Sequence, residues 1–144
     1  MKIKIKKLHP DAKLPTTQDG DAGFDLYAVE DVLIPCYETK KIRTGIAIQL
    51  PPHTFAKIED RSSMAIKSLR TGAGIVDESF TGEIQVVMHY LGTNGAFDTG
   101  YQIKKGDKIA QFIVHEYMNP AIVEVTGELK STNRGTKGWG STDI

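Results

Sequence analysis

The sequence has very little cysteine and no long apolar run. Its single cysteine, Cys36, excludes an internal disulfide, and no histidine lies near it in sequence to activate it as a nucleophile. Nowhere do about eighteen consecutive apolar residues occur, so no membrane-spanning helix is expected. The opening MKIKIKK alternates lysine with isoleucine where a secretory signal needs an unbroken apolar stretch. These absences predict a cytoplasmic protein without a membrane partner.

The sequence also lacks a net charge, because 18 basic and 18 acidic residues cancel. The chain therefore has no net positive charge that would attract nucleic acid, and no direct nucleic-acid partner is expected. Any phosphate group must be held by a local cluster of residues. The length of 144 residues fits one domain with a real apolar core.

The apolar residues recur with a period of two, which is typical of β-strands. In KKIRTGIAIQL, the residues Ile42, Ile46, Ile48 and Leu50 fall on one parity. Further strand-like runs are FAKIE, EIQVVMHYL, KIAQFIVHEY and AIVEV, separated by turn-forming residues every eight to twelve positions. Short strands at this spacing favour an all-β sandwich, jelly roll or small barrel.

One stretch, SSMAIKSLR, predicts a short helix after Arg61. A hydroxyl of Ser62 or Ser63 would cap its first turn, and three apolar side chains would face inward: Met64, Ile66 and Leu69. After Val125 the aliphatic residues nearly disappear. We therefore expect a β domain over residues 1–126 and a flexible C-terminal arm over 127–144, ordered only when it docks on a ligand or a partner surface.

Three segments carry residues suited to nucleotide chemistry. GAGIVDESFTGEI, residues 72–84, is interpreted as a β-hairpin with Asp77 near its tip as a proton acceptor and Phe80 as a stacking surface. EDRSSMAIK, residues 59–67, joins Arg61 and two hydroxyls at a helix start, an arrangement suited to anions. NRGTKGWGST, residues 133–142, combines cations, glycines and Trp139. Taken alone, Asp77 is more simply a turn residue and Ser62 a plain helix cap.

With these residues in view, the sequence resembles the homotrimeric dUTPase family. Five family motifs occur in order: DAGFDLYA (21–28), DRSSMAIK (60–67), GAGIVDESFTGEI (72–84), KGDKIAQFIV (105–114) and NRGTKGWGST (133–142). The resemblance implies a distorted jelly-roll β-barrel and hydrolysis of dUTP to dUMP and pyrophosphate. It also implies a homotrimer in which each active site takes motifs from all three chains and the arm closes over a neighbouring subunit's site.

The resemblance implies a role for each matching position. Asp77 would deprotonate the water that attacks the α-phosphorus, Phe80 would exclude a ribose, and Asp25 would support the site through water or a charged partner. The uracil edge would meet the backbone of Gly74, Ile75 and Gln85, with Val76 beside them. The triphosphate would contact Arg61, Ser62, Ser63 and Gln111. The arm would contribute Arg134, Gly138, Trp139, Gly140, Ser141 and Thr142. Mg²⁺ would be bound by the phosphates and water, without protein ligands.

The sequence departs from the family pattern at several positions. Phe80 stands where tyrosine is usual, Ser79 replaces a second acid, Ser63 and Lys137 stand where glycine is frequent, and Trp139 replaces phenylalanine. Two alternative functions stay open. A dCTP deaminase would need a catalytic glutamate where this chain has Val87. A non-catalytic, nucleotide-regulated binding module would use the pocket to engage a protein partner.

Overall fold

A computed structural model describes residues 2–93, 95, 97–133 and 135–136. Within these residues the chain forms ten strands and one short helix. In chain order they are β1 (Lys4–Lys7), β2 (Phe24–Tyr27), β3 (Val32–Pro35), β4 (Thr39–Gln49), β5 (Thr54–Glu59), α1 (Ser62–Ala65), β6 (Leu69–Gly72), β7 (Ile75–Val76), β8 (Glu83–Tyr90), β9 (Gly100–Ile103) and β10 (Lys108–Glu116). The prediction of an all-β chain with one short helix is confirmed.

The strands form two four-stranded sheets, ordered β1-β4-β8-β6 and β2-β10-β5-β7, with β3 and β9 paired separately. From β4 to β8, each successive strand belongs to the opposite sheet from the one before it. This alternation is the jelly-roll manner of closing a sandwich, and it accounts for the short strands and frequent turns in the sequence.

The core contains the apolar residues that the period-two pattern selects. Ile42, Ile46, Ile48 and Leu50 are all buried. Strand β8 alternates strictly between buried and half-buried positions from Glu83 to Tyr90. Its inward residues fill the sandwich, and its outward residues remain available to line a site.

The helix is shorter than predicted and is capped differently. Arg61 occupies the N-cap and no side chain caps the first turn, so the expected serine cap is wrong. Met64 and Leu69 are buried, but Ile66 is 87% exposed. The helix ends at Ala65 with Ile66 as its C-cap, and Ser68 takes a left-handed φ of 61°, which turns the chain into β6 before a second helical turn forms. No helix in the described ranges is long and apolar enough to cross a membrane.

The strand predicted for AIVEV, residues 121–125, is also absent. Among the described residues the last strand ends at Glu116, and Ile122 and Val123 are 99% and 76% exposed. A strand needs a neighbouring edge to satisfy its backbone groups, and the described part of the chain pairs none with this segment.

The segment 72–84 is not the predicted hairpin. Strand β7 pairs with β5 in one sheet, whereas β8 pairs with β4 and β6 in the other. Asp77 therefore lies at the point where the chain crosses from one sheet to the other. The alternating apolar residues on either side of the turn predict two strands. They do not predict which sheet edge each strand joins.

Candidate active site in two parts

The first part of the candidate site is a cleft of about 340 Å³ beside α1 and β10. We call it the basic cleft and define it by Asp25, Arg61, Ser62, Lys108 and Gln111, which all line it. Strand β10 lies between β2 and β5, so it places Gln111 opposite both Asp25 and Glu59. The pairing of these strands brings together residues from three separate motifs.

Arg61 is held in a fixed orientation at the start of the helix. Its Nε donates to Asp25 Oδ1 at 2.8 Å, and its Nη1 donates to Ser63 Oγ and to the Lys108 carbonyl, both at 3.2 Å. In the described part of the chain, Nη2 makes no hydrogen bond. A planar guanidinium fixed on one side presents its other side to an anion in a defined direction.

Lys108 is a member of the basic cleft that the sequence did not reveal. Its Nζ lies 2.7 Å from Asp25 Oδ2, and this hydrogen bond raises the pKa of the ammonium. Lys108 and Gln111 are three residues apart, which would place them on opposite faces of a regular strand. A register shift between Lys108 and Ala110 in the β10–β2 pairing brings both into one cleft.

Gln111 is held in the cleft by its contact with Asp60. Its Nε2 donates to the Asp60 carbonyl at 2.9 Å. The Asp60 carboxylate accepts from the Thr71 backbone N–H at 2.6 Å and from Arg70 at 3.0 Å. Burial raises the pKa of this carboxyl, but these hydrogen bonds lower it more, and the net pKa lies below its ordinary value. Asp60 thus stays ionised and fixes the turn before the helix.

The second part is a cavity of about 350 Å³ between the crossover segment and the outward face of β8. We call it the Asp77 cavity and define it by Asp77, Phe80, Gln85 and Val87 with Ile75 and Val76 of β7. Lys41, Ile58, Ala73, Glu83 and Ile84 complete its lining. Asp77, Phe80, Ile75, Val76 and Gln85, predicted as site residues, therefore lie together.

Backbone packing shapes one wall of the Asp77 cavity. Ala73 adopts a left-handed φ of 50°, and the Gly74 carbonyl accepts from the Ile58 N–H at 2.7 Å. A Cβ on Gly74 would lie 2.6 Å from the Ile58 carbonyl oxygen. The absence of a side chain at Gly74 therefore allows its close contact with the neighbouring strand β5.

Phe80 presents an aromatic face to the cavity. Its side chain is 45% exposed, and a Cβ on Gly82 would lie 2.7 Å from its Cζ, so the ring packs directly over that glycine. The Phe80 N–H donates to the Asp77 carbonyl at 3.1 Å, closing a tight turn. This turn therefore fixes the position of Phe80 relative to Asp77, three residues earlier in the chain.

The cavity holds a second carboxylate, Glu83, which sequence reasoning left without a role. Arg43 Nε donates to both its oxygens at 3.1 and 3.2 Å, and the Gly45 N–H donates to Oε1 at 2.9 Å. Within the described residues, the Asp77 carboxylate accepts no hydrogen bond. Asp77 is thus the better placed of the two to accept a proton.

Among the described residues, none lines both the basic cleft and the Asp77 cavity. Ser63 contacts Arg61 without lining either cavity. The remaining predicted residues lie outside the described part of the chain: Arg134, Gly138, Trp139, Gly140, Ser141 and Thr142. One chain therefore carries two groups of residues at different places. The basic cleft offers cations to an anion, and the Asp77 cavity offers an aromatic ring beside a carboxylate.

Comparison with known proteins places these features in a family. The family model described as dUTPase matches residues 11–143. The deoxyuridine 5'-triphosphate nucleotidohydrolase of Clostridium kluyveri is 44% identical over 146 residues, covering 99% of this chain and 98% of the relative.

Two solved structures share the fold. The Staphylococcus bacteriophage 80alpha dUTPase with dUPNHPP has a TM-score of 0.89 at 22% identity, covering 99% of both chains. A dUTPase variant from phage phi11 of S. aureus, described with a structural Mg(II) ion, has a TM-score of 0.79 at 21% identity, covering 88% of this chain and 98% of its own. On the family match and the identity to the clostridial relative, this chain belongs to the dUTPase family.

Proposed function

We propose that the chain hydrolyses dUTP to dUMP and pyrophosphate, with Asp77 as the base that activates the attacking water. Membership of the dUTPase family supports the reaction. The observation that supports the base is the cavity that joins the exposed ring of Phe80 to a carboxylate that accepts no hydrogen bond from any described residue. This reaction removes a precursor of uracil in DNA and supplies dUMP for dTMP synthesis.

In the proposed mechanism, Asp77 accepts a proton from water as the water oxygen attacks the α-phosphorus. The bond between that phosphorus and the bridging oxygen breaks, and pyrophosphate leaves with the bonding electron pair. Negative charge then grows on the leaving group. Arg61 and Lys108, both oriented by Asp25, would stabilise this charge together with Ser62, Ser63 and Gln111.

Recognition of the nucleoside is proposed for the Asp77 cavity. The Phe80 ring would lie against the deoxyribose and leave no room for a 2′-hydroxyl. Backbone groups of Gly74, Ile75 and Gln85 would pair with the uracil edge. Cytosine has an acceptor at N3 and a donor at its C4 amino group, where uracil has a donor and an acceptor, so its binding would leave buried polar groups unpaired.

We propose that the working site is assembled from more than one chain of a homotrimer. The described residues that line the basic cleft differ from those that line the Asp77 cavity, and a site that joins the cleft of one protomer to the cavity of its neighbour would offer one nucleotide both parts. The exposed apolar residues Ile122, Val123 and Val125 support burial of this segment in an assembly. The arm, residues 127–144, would then close over a neighbour's site and limit entry of water.

Mg²⁺ is proposed to reach the site on the triphosphate. In the described ranges no three His, Cys, Asp or Glu residues lie close enough to hold a metal ion. Asp25, the acid of the basic cleft, already contacts two cations. These residues suit an ion bound by phosphate oxygens and water, which would neutralise part of the substrate's charge. A cytoplasmic location is also proposed, supported by the single free thiol of Cys36.

Pyrophosphate release from dUTP, dTTP, dCTP and UTP with Mg²⁺ tests the proposal. Of these four nucleotides, we expect only dUTP to release pyrophosphate at a substantial rate. We expect Asp77→Asn to bind dUTP yet lose at least about a thousandfold in kcat. Asp19→Asn, a change at an exposed aspartate, is the matched control. Ammonia released from dCTP, or full turnover by Asp77→Asn, would overturn the proposal.

A further inference from the structure

The turn that carries Asp77 is fastened to the rest of the chain through the next residue, Glu78. One oxygen of this carboxylate, Oε2, accepts from the His53 backbone N–H at 2.8 Å and from the Tyr117 hydroxyl at 3.0 Å. The Tyr117 N–H donates in turn to the His53 carbonyl at 3.1 Å. We call this arrangement of Glu78, His53 and Tyr117 the Glu78 clamp.

The clamp joins three parts of the chain that are far apart in sequence. His53 lies in the connection between β4 and β5, where it holds a left-handed φ of 60°. Tyr117 is the first residue after β10 and the start of the exposed C-terminal segment. The turn of Asp77 is thereby linked directly to the point at which that segment leaves the sandwich.

Asp77 depends on its neighbours for its position. Before it, Val76 pairs with Ala56 of β5, and this ladder contains only two residue pairs. After it, the clamp holds Glu78. A further cavity of about 660 Å³ lies on the clamp side of the turn, lined by Asp77, Glu78 and Tyr117 among others. Asp77 lines this cavity and the Asp77 cavity, so the turn has open space on two sides.

We propose that Glu78 is a positioning residue for Asp77. Its carboxylate holds the turn against the beginning of the C-terminal segment and so fixes where the proposed base meets water. The inference rests on the proposed role of Asp77. It predicts that loss of the clamp lowers kcat more than it changes the KM for dUTP, because Glu78 lies outside both proposed substrate-binding parts.

The Tyr117 hydroxyl suits this role across the pH range of an enzyme assay. Its hydrogen bond to Glu78 raises the pKa of the phenol, with burial and the charges of Glu78 and Asp77 acting in the same direction. The phenol therefore stays protonated and continues to donate. This pairing could not be predicted from local spacing, because Glu78 and Tyr117 are 39 positions apart.

Three variants of the intact protein test the clamp: Glu78→Ala, Glu78→Gln and Tyr117→Phe. We expect Glu78→Ala and Tyr117→Phe to lose about tenfold in kcat, with KM for dUTP within about twofold of wild type. Glutamine keeps one acceptor oxygen, so Glu78→Gln should restore part of the loss. The double variant Glu78→Ala/Tyr117→Phe should be no slower than Glu78→Ala, since Glu78→Ala already removes the contact that Tyr117→Phe removes.

Glu38→Gln and Tyr37→Phe are matched controls at exposed positions and should keep wild-type kcat. If Glu78→Ala fails to fold, Tyr117→Phe removes a single oxygen and tests the same bond. Wild-type kcat in Tyr117→Phe would overturn the inference. Asp77→Asn separates the two proposals: full activity in that variant defeats the proposed base, whereas an inactive Asp77→Asn beside a fully active Tyr117→Phe defeats only the clamp.

Discussion

Arg61 and Asp25 meet at 2.8 Å, and this contact joins the start of the helix to strand β2. The same carboxylate contacts Lys108 through its other oxygen. Asp25 therefore orients two cations toward one cleft, and neither cation takes its position from its own strand or helix alone.

Replacement of Arg61 by lysine should reduce activity although the charge is kept. Lysine lacks the planar fork that contacts Asp25, Ser63 and the Lys108 carbonyl at once. We expect a loss of about a hundredfold in kcat/KM for dUTP with little change in Tm. Lys40→Arg, the reverse exchange at an exposed ion pair, is the control. Activity within about twofold of wild type for Arg61→Lys would contradict a directed guanidinium.

Replacement of Lys108 by glutamine should weaken substrate binding. Removal of one phosphate-facing charge should raise the KM for dUTP about tenfold, with a smaller effect on kcat. The salt dependence of KM should also become shallower, because fewer charges attract the triphosphate. Steady-state kinetics between low and moderate salt measure both effects. Lys104→Gln, whose exposed side chain pairs with Asp31, should show neither.

Phe80 should control discrimination against UTP through its ring. Phe80→Ala is expected to raise the UTP-to-dUTP ratio of kcat/KM about tenfold, because the ring no longer occupies the space beside the sugar. Phe80→Tyr keeps the ring and should leave the ratio nearly unchanged. Competition between the two nucleotides in one assay measures it. Equal ratios in Phe80→Ala and wild type would rule out the ring as the selective surface.

Asp98 should make the stability of the fold depend on pH in the acid range. Hydrogen bonds from Tyr90 at 2.7 Å, from the Thr93 N–H and from the Gly100 N–H lower the pKa of this carboxyl to about 2. In the unfolded chain the value is about 3.9. The folded pKa is the lower one, so the stabilisation is present above about pH 4 and is lost as the pH falls toward 2.

Thermal unfolding of Asp98→Asn and wild type across pH 2 to 7 should therefore reveal two regimes. The variant should melt several degrees below wild type at pH 7, and the two Tm values should converge as the pH approaches 2. Asp19→Asn, at an exposed carboxylate, is the control. A constant difference in Tm across the whole range would show that the charge of Asp98 is not the cause.

Much of the fold could be predicted from the sequence, because a strand that buries only one face must alternate apolar residues with polar ones. Ile42, Ile46 and Ile48 show this relation directly. The parts that could not be predicted depend on pairing between distant strands. The shift that brings Lys108 beside Gln111 and the crossover at Asp77 belong to the sheet edges and not to local pattern. AIVEV has strand composition but no partner edge within the described part of the chain.

The same distinction applies to the candidate site. Asp77 and Phe80 are three residues apart, and a tight turn brings them to one cavity. The Arg43–Glu83 pair joins strands 40 residues apart, so no spacing in the sequence indicated that Glu83 was already engaged. The sequence motifs indicated which residues could take part in the reaction. The pairing of distant strands determined which of the charged residues are already neutralised by an ion pair.

Complementation between two inactive variants tests the shared site most directly. Asp77→Asn and Arg61→Ala are each expected to be nearly inactive alone. If a site takes Asp77 from one subunit and Arg61 from another, trimers refolded from an equal mixture contain some sites with both residues intact. Random assembly predicts about a quarter of the wild-type rate of pyrophosphate release from dUTP. A mixture no more active than its two components would contradict the shared site.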